Sequence, residues 1–142
     1  MKKWLKKYNE RSLFAVVIPT YNRADTILES IKSVLNQTFG NYELIVVDDG
    51  STDDTKDIVS RIQDNRIKYI YQRNAGVSQA RNTGAARATA AYLLFLDSDD
   101  CFSPQYLEKL HTEFSKGQFI IGFGYARTVD ATAAAVAEHA LY

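Results

Sequence analysis

Short apolar runs alternate with helical segments along most of this chain. Residues 13–19 and 42–48 are almost continuously apolar and rich in β-branched side chains, which is typical of strands buried on both faces of a sheet. Strands are predicted at 13–19, 42–48, 66–71, 91–97 and 118–125. Helices are predicted at 24–36, 53–63 and 79–90, from residue 103, and in the alanine-rich tail from 131. This alternation predicts an α/β fold, a Rossmann-like and mostly parallel sheet with helices on both faces.

Two of the predicted helices carry further local signals. Small residues dominate 79–90, which predicts close packing of that helix on the sheet. Ser51 and Thr52 are candidate N-caps for the helix that follows them. Acidic side chains in the first turns of that helix favour its dipole, and we interpret them as capping charges. They are Asp53, Asp54 and Asp57.

Length and charge narrow the class of protein. The 142 residues fit one domain, and we predict a basic N-terminal segment at 1–12 followed by a single domain at 13–142. Lys+Arg and Asp+Glu both number 17, so the formal net charge is zero and nucleic-acid binding is not expected. The single cysteine, Cys101, excludes an internal disulfide and a cysteine-rich zinc site, and it suits a reducing compartment.

The expected location follows from hydropathy and from the first residues. No apolar run reaches the roughly 18 residues that a membrane-spanning helix needs. The lysine-rich start is either a solvated helix packed on the domain or a short interfacial helix that touches anionic lipid. We therefore expect a cytoplasmic protein, with the inner face of the membrane as the place of any peripheral contact. A bare sheet edge would also allow a second copy to bind, so a homo-oligomer stays open.

The unusual polar segments of the chain all follow predicted strands. They are 20–23, 48–51, 73–78 and 97–100. Because ligands of open parallel sheets bind beyond the carboxyl ends of the strands, these segments predict one site at one edge. Two carboxylate clusters there suit Mg²⁺ or Mn²⁺ shared with phosphate oxygens. Arginines would supply donors and an aromatic ring a stacking face, from Arg23, Arg73, Arg81 and Tyr21.

Two common nucleotide-binding signatures are not found in the sequence. The first predicted strand is followed by IPTYNR instead of GxGxxG, which argues against a dinucleotide site. No GxxxxGK[ST] occurs either, so the chain is not a P-loop enzyme. The pattern nevertheless predicts a site for a metal and a nucleotide.

Four successive segments carry a family resemblance. They read VVIPTYNR (16–23), VVDDGSTDDT (46–55), NAGVSQARNTG (74–84) and FLDSDD (95–100). In this order and spacing they resemble the signatures of the family 2 glycosyltransferases, over about residues 13–125. The resemblance implies a GT-A fold and transfer of a sugar, with inversion, from a nucleotide diphosphate sugar, often a UDP-sugar. The implied acceptor is a hydroxyl of a saccharide or a lipid-linked molecule, as in polysaccharide and cell-envelope biosynthesis.

The resemblance also implies roles for individual residues. The implied donor-binding residues are Pro19, Thr20, Tyr21, Arg23, Asp48, Asp49, Asn74, Gly76, Arg81, Asp97 and Ser98. Within this set Asp49 would bond the base, with Asp48 as its structural neighbour. The DxD segment would hold Mn²⁺ or Mg²⁺ against the diphosphate through Asp97, Asp99 and Asp100.

The general base is the part of the site that the sequence does not supply clearly. The resemblance places it well beyond the DxD segment, in the acceptor half, and this chain extends only to residue 142. Glu108 and Glu113 are expected to be surface charges of a helix, which leaves Asp130 as the candidate. The chain thus resembles the donor-binding part, and two functions stay open. One is a glycosyltransferase, and the other is a nucleotide-sugar-binding module that needs a partner or a C-terminal half.

Overall fold

A parallel four-stranded sheet forms the centre of the computed structural model, which describes residues 12–116. The strands are β1 (Phe14–Thr20), β2 (Tyr42–Asp48), β3 (Ile67–Tyr71) and β4 (Tyr92–Phe95), in the spatial order β3-β2-β1-β4. The helices are α1 (Ile27–Leu35), α2 (Thr55–Ser60), α3 (Val77–Arg87) and α4 (Tyr106–Ser115). All neighbouring strand pairs are parallel, which confirms the predicted α/β fold.

The two central strands bring the predicted polar segments level with one another. Every residue of β1 and β2 is buried, as their continuous apolar runs predict. The register pairs Phe14 with Tyr42 and Thr20 with Asp48, and Asp48 in turn with Tyr71. Three strands therefore end side by side, and the loops that follow them start at one edge of the sheet.

Helix α3 lies directly on the two central strands. Ala80 and Gly84 are its buried residues. Ala80 belongs to one core cluster with Val17, Ile45 and Val47. A Cβ placed on Gly84 would lie 2.3 Å from Cγ1 of Val17, so only a glycine allows this approach. The close packing expected from the small residues of this helix is thus observed.

Helices α1 and α3 begin at other residues than the sequence predicts. Helix α1 begins at Ile27 rather than at 24, because a turn closed by hydrogen bonds to the carbonyl of Arg23 precedes it. Helix α3 begins at Val77 rather than at 79, directly after Gly76. The φ of +92° at Gly76 gives the loop its last bend before the helix.

The start of α2 was predicted at the wrong residue. The N-cap position is Asp54 and not Ser51 or Thr52, and the helix covers Thr55–Ser60 instead of 53–63. The hydroxyl of Ser51 accepts the backbone N–H of Asn22 instead of capping the helix. Residues 51–53 therefore belong to a loop that contacts the segment after β1.

The chain divides into two compact units, with the boundary after Lys109 inside α4. The first unit contains the whole described sheet. Of the second, the described part is residues 110–116, where Glu113 pairs with Lys116 at 2.8 Å. The predicted strand at 118–125, the tail helix from 131 and the candidate base Asp130 lie outside the described residues, as does 1–11. A search of the described helices finds none that could cross a membrane.

Replacing Gly84 by alanine is expected to lower the free energy of unfolding by about 1–3 kcal/mol. The added Cβ would overlap Val17, a stiff β-branched side chain in a buried strand. Urea denaturation measures the change. Gly40→Ala is the matched control, because a Cβ there meets nothing within 4 Å. Equal destabilisation by the two substitutions would contradict this account of the helix–sheet contact.

An ion pair just before β3 should make the stability of the fold depend on pH. Arg66 donates from its side chain and backbone to Asp64, with Nη2 2.7 Å from Oδ2, and these bonds lower the pKa of Asp64 to about 2. A carboxyl whose pKa is lower in the folded state stabilises the fold above its unfolded value, and that stabilisation is lost as pH falls through the folded value.

Asp64→Asn should therefore lower the free energy of unfolding at pH 7 by about 1 kcal/mol. The difference from the wild-type chain should shrink as pH falls from about 4 toward 2. Urea titrations at a series of pH values measure it, with Asp25→Asn, an exposed carboxyl elsewhere, as the control. A gap between wild type and variant that stays constant down to pH 2 would argue against the role of the pair.

Candidate functional site

A cavity of about 640 Å³ opens at the carboxyl edge of the sheet. Its walls come from the ends of β1 and β2, the loop before α3, the first turns of α3 and the loop after β4. The lining residues are Pro19, Thr20, Tyr21, Arg23, Asp49, Asn74, Gly76, Val77, Ala80, Arg81, Asp97, Ser98 and Asp99. All four predicted polar segments therefore contribute to one cavity.

Nearly all of the predicted site residues reach this cavity. Every predicted donor-binding residue except Asp48 lines it, and so do two of the three predicted metal ligands, Asp97 and Asp99. The structure does not bring Asp100 or Arg73 to the wall. Sequence reasoning did not name Val77, although its segment 73–78 was among the predicted site segments, and it assigned Ala80 to packing on the sheet. The glycine before them was the available signal that the helix begins at the cavity.

Asp48 anchors the turn after β2 and does not line the cavity. Its side chain is fully buried, and its Oδ2 accepts the hydroxyl of Tyr69 at 2.5 Å while its Oδ1 accepts the backbone N–H of Ser51 at 2.8 Å. Burial, followed by this hydrogen bond, raises the pKa of Tyr69, so the phenol stays protonated as a donor. Asp48 is thus the one predicted donor-binding residue that does not line the cavity, and its contacts fit the structural role that the resemblance implied.

Asp49 links two walls of the cavity. Its Oδ1 accepts Gln72 Nε2 at 2.7 Å and the N–H of Ala75 at 2.9 Å, and its Oδ2 accepts the N–H of Gly76 at 2.8 Å. Its own N–H donates to the carbonyl of Thr20 at 2.8 Å. The side chain of Asp49 is almost wholly buried, and the three donors offset the cost of burying its carboxylate. The loop before α3 is thereby held against the ends of β1 and β2.

An ion pair joins α3 to the loop after β4. Nη2 of Arg81 lies 2.6 Å from Oδ1 of Asp97, and both side chains are more than a third exposed. Asp99 lines the same wall. Burial, followed by the charges of Asp99 and Asp97, raises the pKa of Asp100. The carboxylates of this turn repel one another, and a cation placed among them would relieve that repulsion.

Thr20 presents an unsatisfied hydroxyl at the cavity wall. The residue is 3% exposed, and among the described residues its Oγ1 has no hydrogen-bond partner. A buried polar atom without a partner costs free energy, which a ligand group at this position would recover. The cavity therefore favours a ligand with a hydrogen-bonding group near the end of β1.

The donor set fits a cation that arrives with a phosphate-bearing ligand. Within residues 12–116 no group of three or more His, Cys, Asp or Glu side chains is arranged to hold a metal ion. Two carboxylates of the loop after β4, those of Asp97 and Asp99, nevertheless line the cavity. Mg²⁺ is commonly bound by one or two carboxylates together with substrate phosphates and water. Asp97 and Asp99 could hold such an ion, and the remaining ligands would come from the bound molecule.

Sequence comparison finds relatives over most of the chain. The family model described as Glycosyl transferase family 2 matches residues 15–139. An uncharacterized glycosyltransferase of Rickettsia bellii is 39% identical over 117 residues, which are 82% of this chain and 17% of that protein. TuaG of Bacillus subtilis, whose name assigns it to teichuronic acid biosynthesis, is 42% identical over 104 residues, 71% of this chain and 41% of its own length.

Solved structures share the architecture as well. S. aureus TarS 1–349 in complex with UDP-GlcNAc matches with a TM-score of 0.69 and 33% identity, over 72% of this chain and 31% of that one. The mannosyltransferase PcManGT of Pyrobaculum calidifontis, in complex with GDP-Man and Mn²⁺, matches with a TM-score of 0.62 and 28% identity, over 66% and 30%. The chain spans less than half the length of each of these proteins. Its sheet is that of their GT-A fold, and the chain belongs to glycosyltransferase family 2.

Proposed function

We propose that the cavity binds the nucleotide diphosphate sugar donor of an inverting, metal-assisted glycosyl transfer. The observation that carries this proposal is the convergence of four separate segments on one cavity that holds carboxylates beside arginines. Such a mixture suits a diphosphate, which needs cationic donors, together with a divalent cation, which needs carboxylate oxygens. The named complexes of TarS with UDP-GlcNAc and of PcManGT with GDP-Man and Mn²⁺ support this assignment.

The lining residues include groups suited to a base and groups suited to a diphosphate. The ring of Tyr21 is 47% exposed and offers a face for stacking on the base, and Asp49 offers carboxylate oxygens beside it. The hydroxyl of Thr20, which has no hydrogen-bond partner among the described residues, can form a hydrogen bond with the nucleoside. Arg23, on the same loop as Tyr21, and Arg81 would donate to the phosphate oxygens. We place the ribose and diphosphate along Asn74, Gly76 and Ser98, between these two groups.

Asp97 and Asp99 would hold the cation. A divalent cation at this position supplies electrostatic stabilisation of the diphosphate leaving group. For Asp97 to become a ligand, the guanidinium of Arg81 has to share or release its carboxylate, since the two groups are 2.6 Å apart. A released guanidinium remains at the cavity wall, where the diphosphate would be its natural partner.

A second candidate function is a nucleotide-sugar-binding module that depends on another chain or segment for catalysis. Inversion at the sugar needs a general base on the acceptor side. The carboxylates that line the cavity within the described residues are Asp49, Asp97 and Asp99, and all three are assigned to the donor. Asp130 stays a prediction outside the described residues. Release of UDP from a UDP-sugar by this chain would favour the enzyme, whereas donor binding without turnover would favour the module.

The name of one relative supports a class of acceptor and a cellular role. TuaG carries a name from teichuronic acid biosynthesis, which supports a role in cell-envelope polysaccharide synthesis with a saccharide or lipid-linked acceptor. Contact of the lysine-rich residues 1–12 with an anionic membrane, and association with a second copy, stay predictions.

Removal of the Asp99 carboxylate should abolish the metal-dependent part of nucleotide binding. Calorimetry with UDP, and separately with GDP, compares wild-type chain and Asp99→Ala in MnCl₂ and in EDTA. The wild-type chain should bind one of the two nucleotides about tenfold more tightly in MnCl₂ than in EDTA. The variant should bind that nucleotide with equal affinity in both buffers. Asp25→Ala, at an exposed carboxyl outside the cavity, should retain the full effect of Mn²⁺. A variant that keeps the wild-type response to Mn²⁺ would remove Asp99 from the proposed site.

A further inference from the structure

Side chains of residues 51–55, which we call the clamp, hold the loop that follows β1. Three successive backbone N–H groups of that loop donate to side-chain oxygens of the clamp. The bonds are Asn22 N to Ser51 Oγ at 2.9 Å, Arg23 N to Thr55 Oγ1 at 3.1 Å and Ala24 N to Asp53 Oδ2 at 3.0 Å. The conformation of the loop is therefore held by a segment about thirty positions away in sequence, in addition to its own turn at Arg23.

Asn22 closes this contact from the other direction. Its side-chain Oδ1 accepts the backbone N–H of Thr52 at 2.8 Å, while its own N–H donates to Ser51. Among the described residues it is the non-glycine residue with positive φ, at +50°. This left-handed conformation is unfavourable for most side chains but is tolerated by asparagine. The clamp thus bonds both the backbone N–H and the side chain of the residue that has this left-handed conformation.

The buried hydroxyl of Thr55 links the loop to Asp53 of the clamp. The residue is fully buried, and its Oγ1 accepts from Arg23 N while it donates to Oδ1 of Asp53 at 2.6 Å. Burial acts to raise the pKa of Asp53, but hydrogen bonds from Thr55 and from the N–H of Ala24 outweigh it and lower that pKa. The carboxylate therefore stays ionised and continues to accept both bonds at neutral pH.

The held loop forms one wall of the cavity. Tyr21 and Arg23 are the immediate neighbours of Asn22, and both line the cavity. We propose that the clamp positions Tyr21 and Arg23 for the nucleotide, so that Asn22 and Thr55 are positioning residues for donor binding. This inference rests on the proposed function, because it assigns to the clamp the placement of groups that would stack on the base and bond the phosphates.

The test compares nucleotide binding by variants of the full 142-residue chain, measured by calorimetry with UDP and with GDP in MnCl₂. Thr55→Val removes the hydroxyl but keeps the shape, and it should weaken binding by about tenfold. Thr55→Ser restores the hydroxyl and should bind within about twofold of wild type. Lys56→Ala, at the next position of α2 and exposed, is the matched control and should bind as wild type does.

A double-mutant cycle separates positioning from a general loss of structure. In a Tyr21→Ala/Arg23→Ala background, the groups that the clamp positions are gone, so Thr55→Val should cause no further loss of affinity. An unrelated structural effect would weaken nucleotide binding by the same factor in both backgrounds. If urea denaturation shows that Thr55→Val does not fold, Ser51→Ala replaces it as the test variant. This substitution removes the acceptor of the Asn22 N–H at a less buried position. It is expected to weaken binding about threefold, with the same dependence on background.

The outcomes distinguish failure of the proposed function from failure of the proposed role of the clamp. A wild-type chain that binds neither nucleotide would overturn the proposed function, and the role of the clamp in donor binding with it. A wild-type chain that binds, with folded clamp variants of unchanged affinity or with equal losses in both backgrounds, would overturn the role of the clamp alone. Loss that appears only when Tyr21 and Arg23 are present supports it.

Discussion

The buried carboxylate of Asp49 is the interaction on which the geometry of the site depends. Its backbone bonds the end of β1, and its side chain accepts three hydrogen bonds from the loop that leads into α3. A charge buried this deeply is stable only while its donors stay in place, so the loop and the strand end constrain each other. The same arrangement brings the start of α3, with Arg81, to the cavity.

Asp48, the last residue of β2, and Asp49, the first residue after it, have different roles because their carboxylates bond different parts of the protein. Asp48 is directed toward Tyr69 and Ser51 and fixes the turn, whereas Asp49 lines the cavity. The clamp continues this division along the chain, since its side chains bond the loop after β1, while Asp53 also accepts the backbone N–H of Thr55 at the start of α2. A single acidic segment therefore supports two walls of the cavity.

The sequence predicted the four strands that lie within the described residues and most of the cavity lining, and it predicted the helix starts less well. Continuous apolar runs identify β1 and β2 because both faces of a central parallel strand are covered. The start of α2 was missed because the hydroxyl of Ser51, an ordinary capping group, bonds Asn22 across the structure. Val77 and Ala80 were not named as lining residues because their apolar side chains carry no chemical signal of a binding role.

By itself the sequence determined the family, the parallel α/β order and the collection of polar segments at one edge, since these depend on local periodicity and on the fixed direction of parallel strands. Only the tertiary structure decided which polar atoms face the cavity. Asp48 is directed into the protein, Asp100 lies off the wall, and Arg81 pairs with Asp97. Those choices depend on hydrogen bonds between residues far apart in the chain, which spacing along the sequence does not encode.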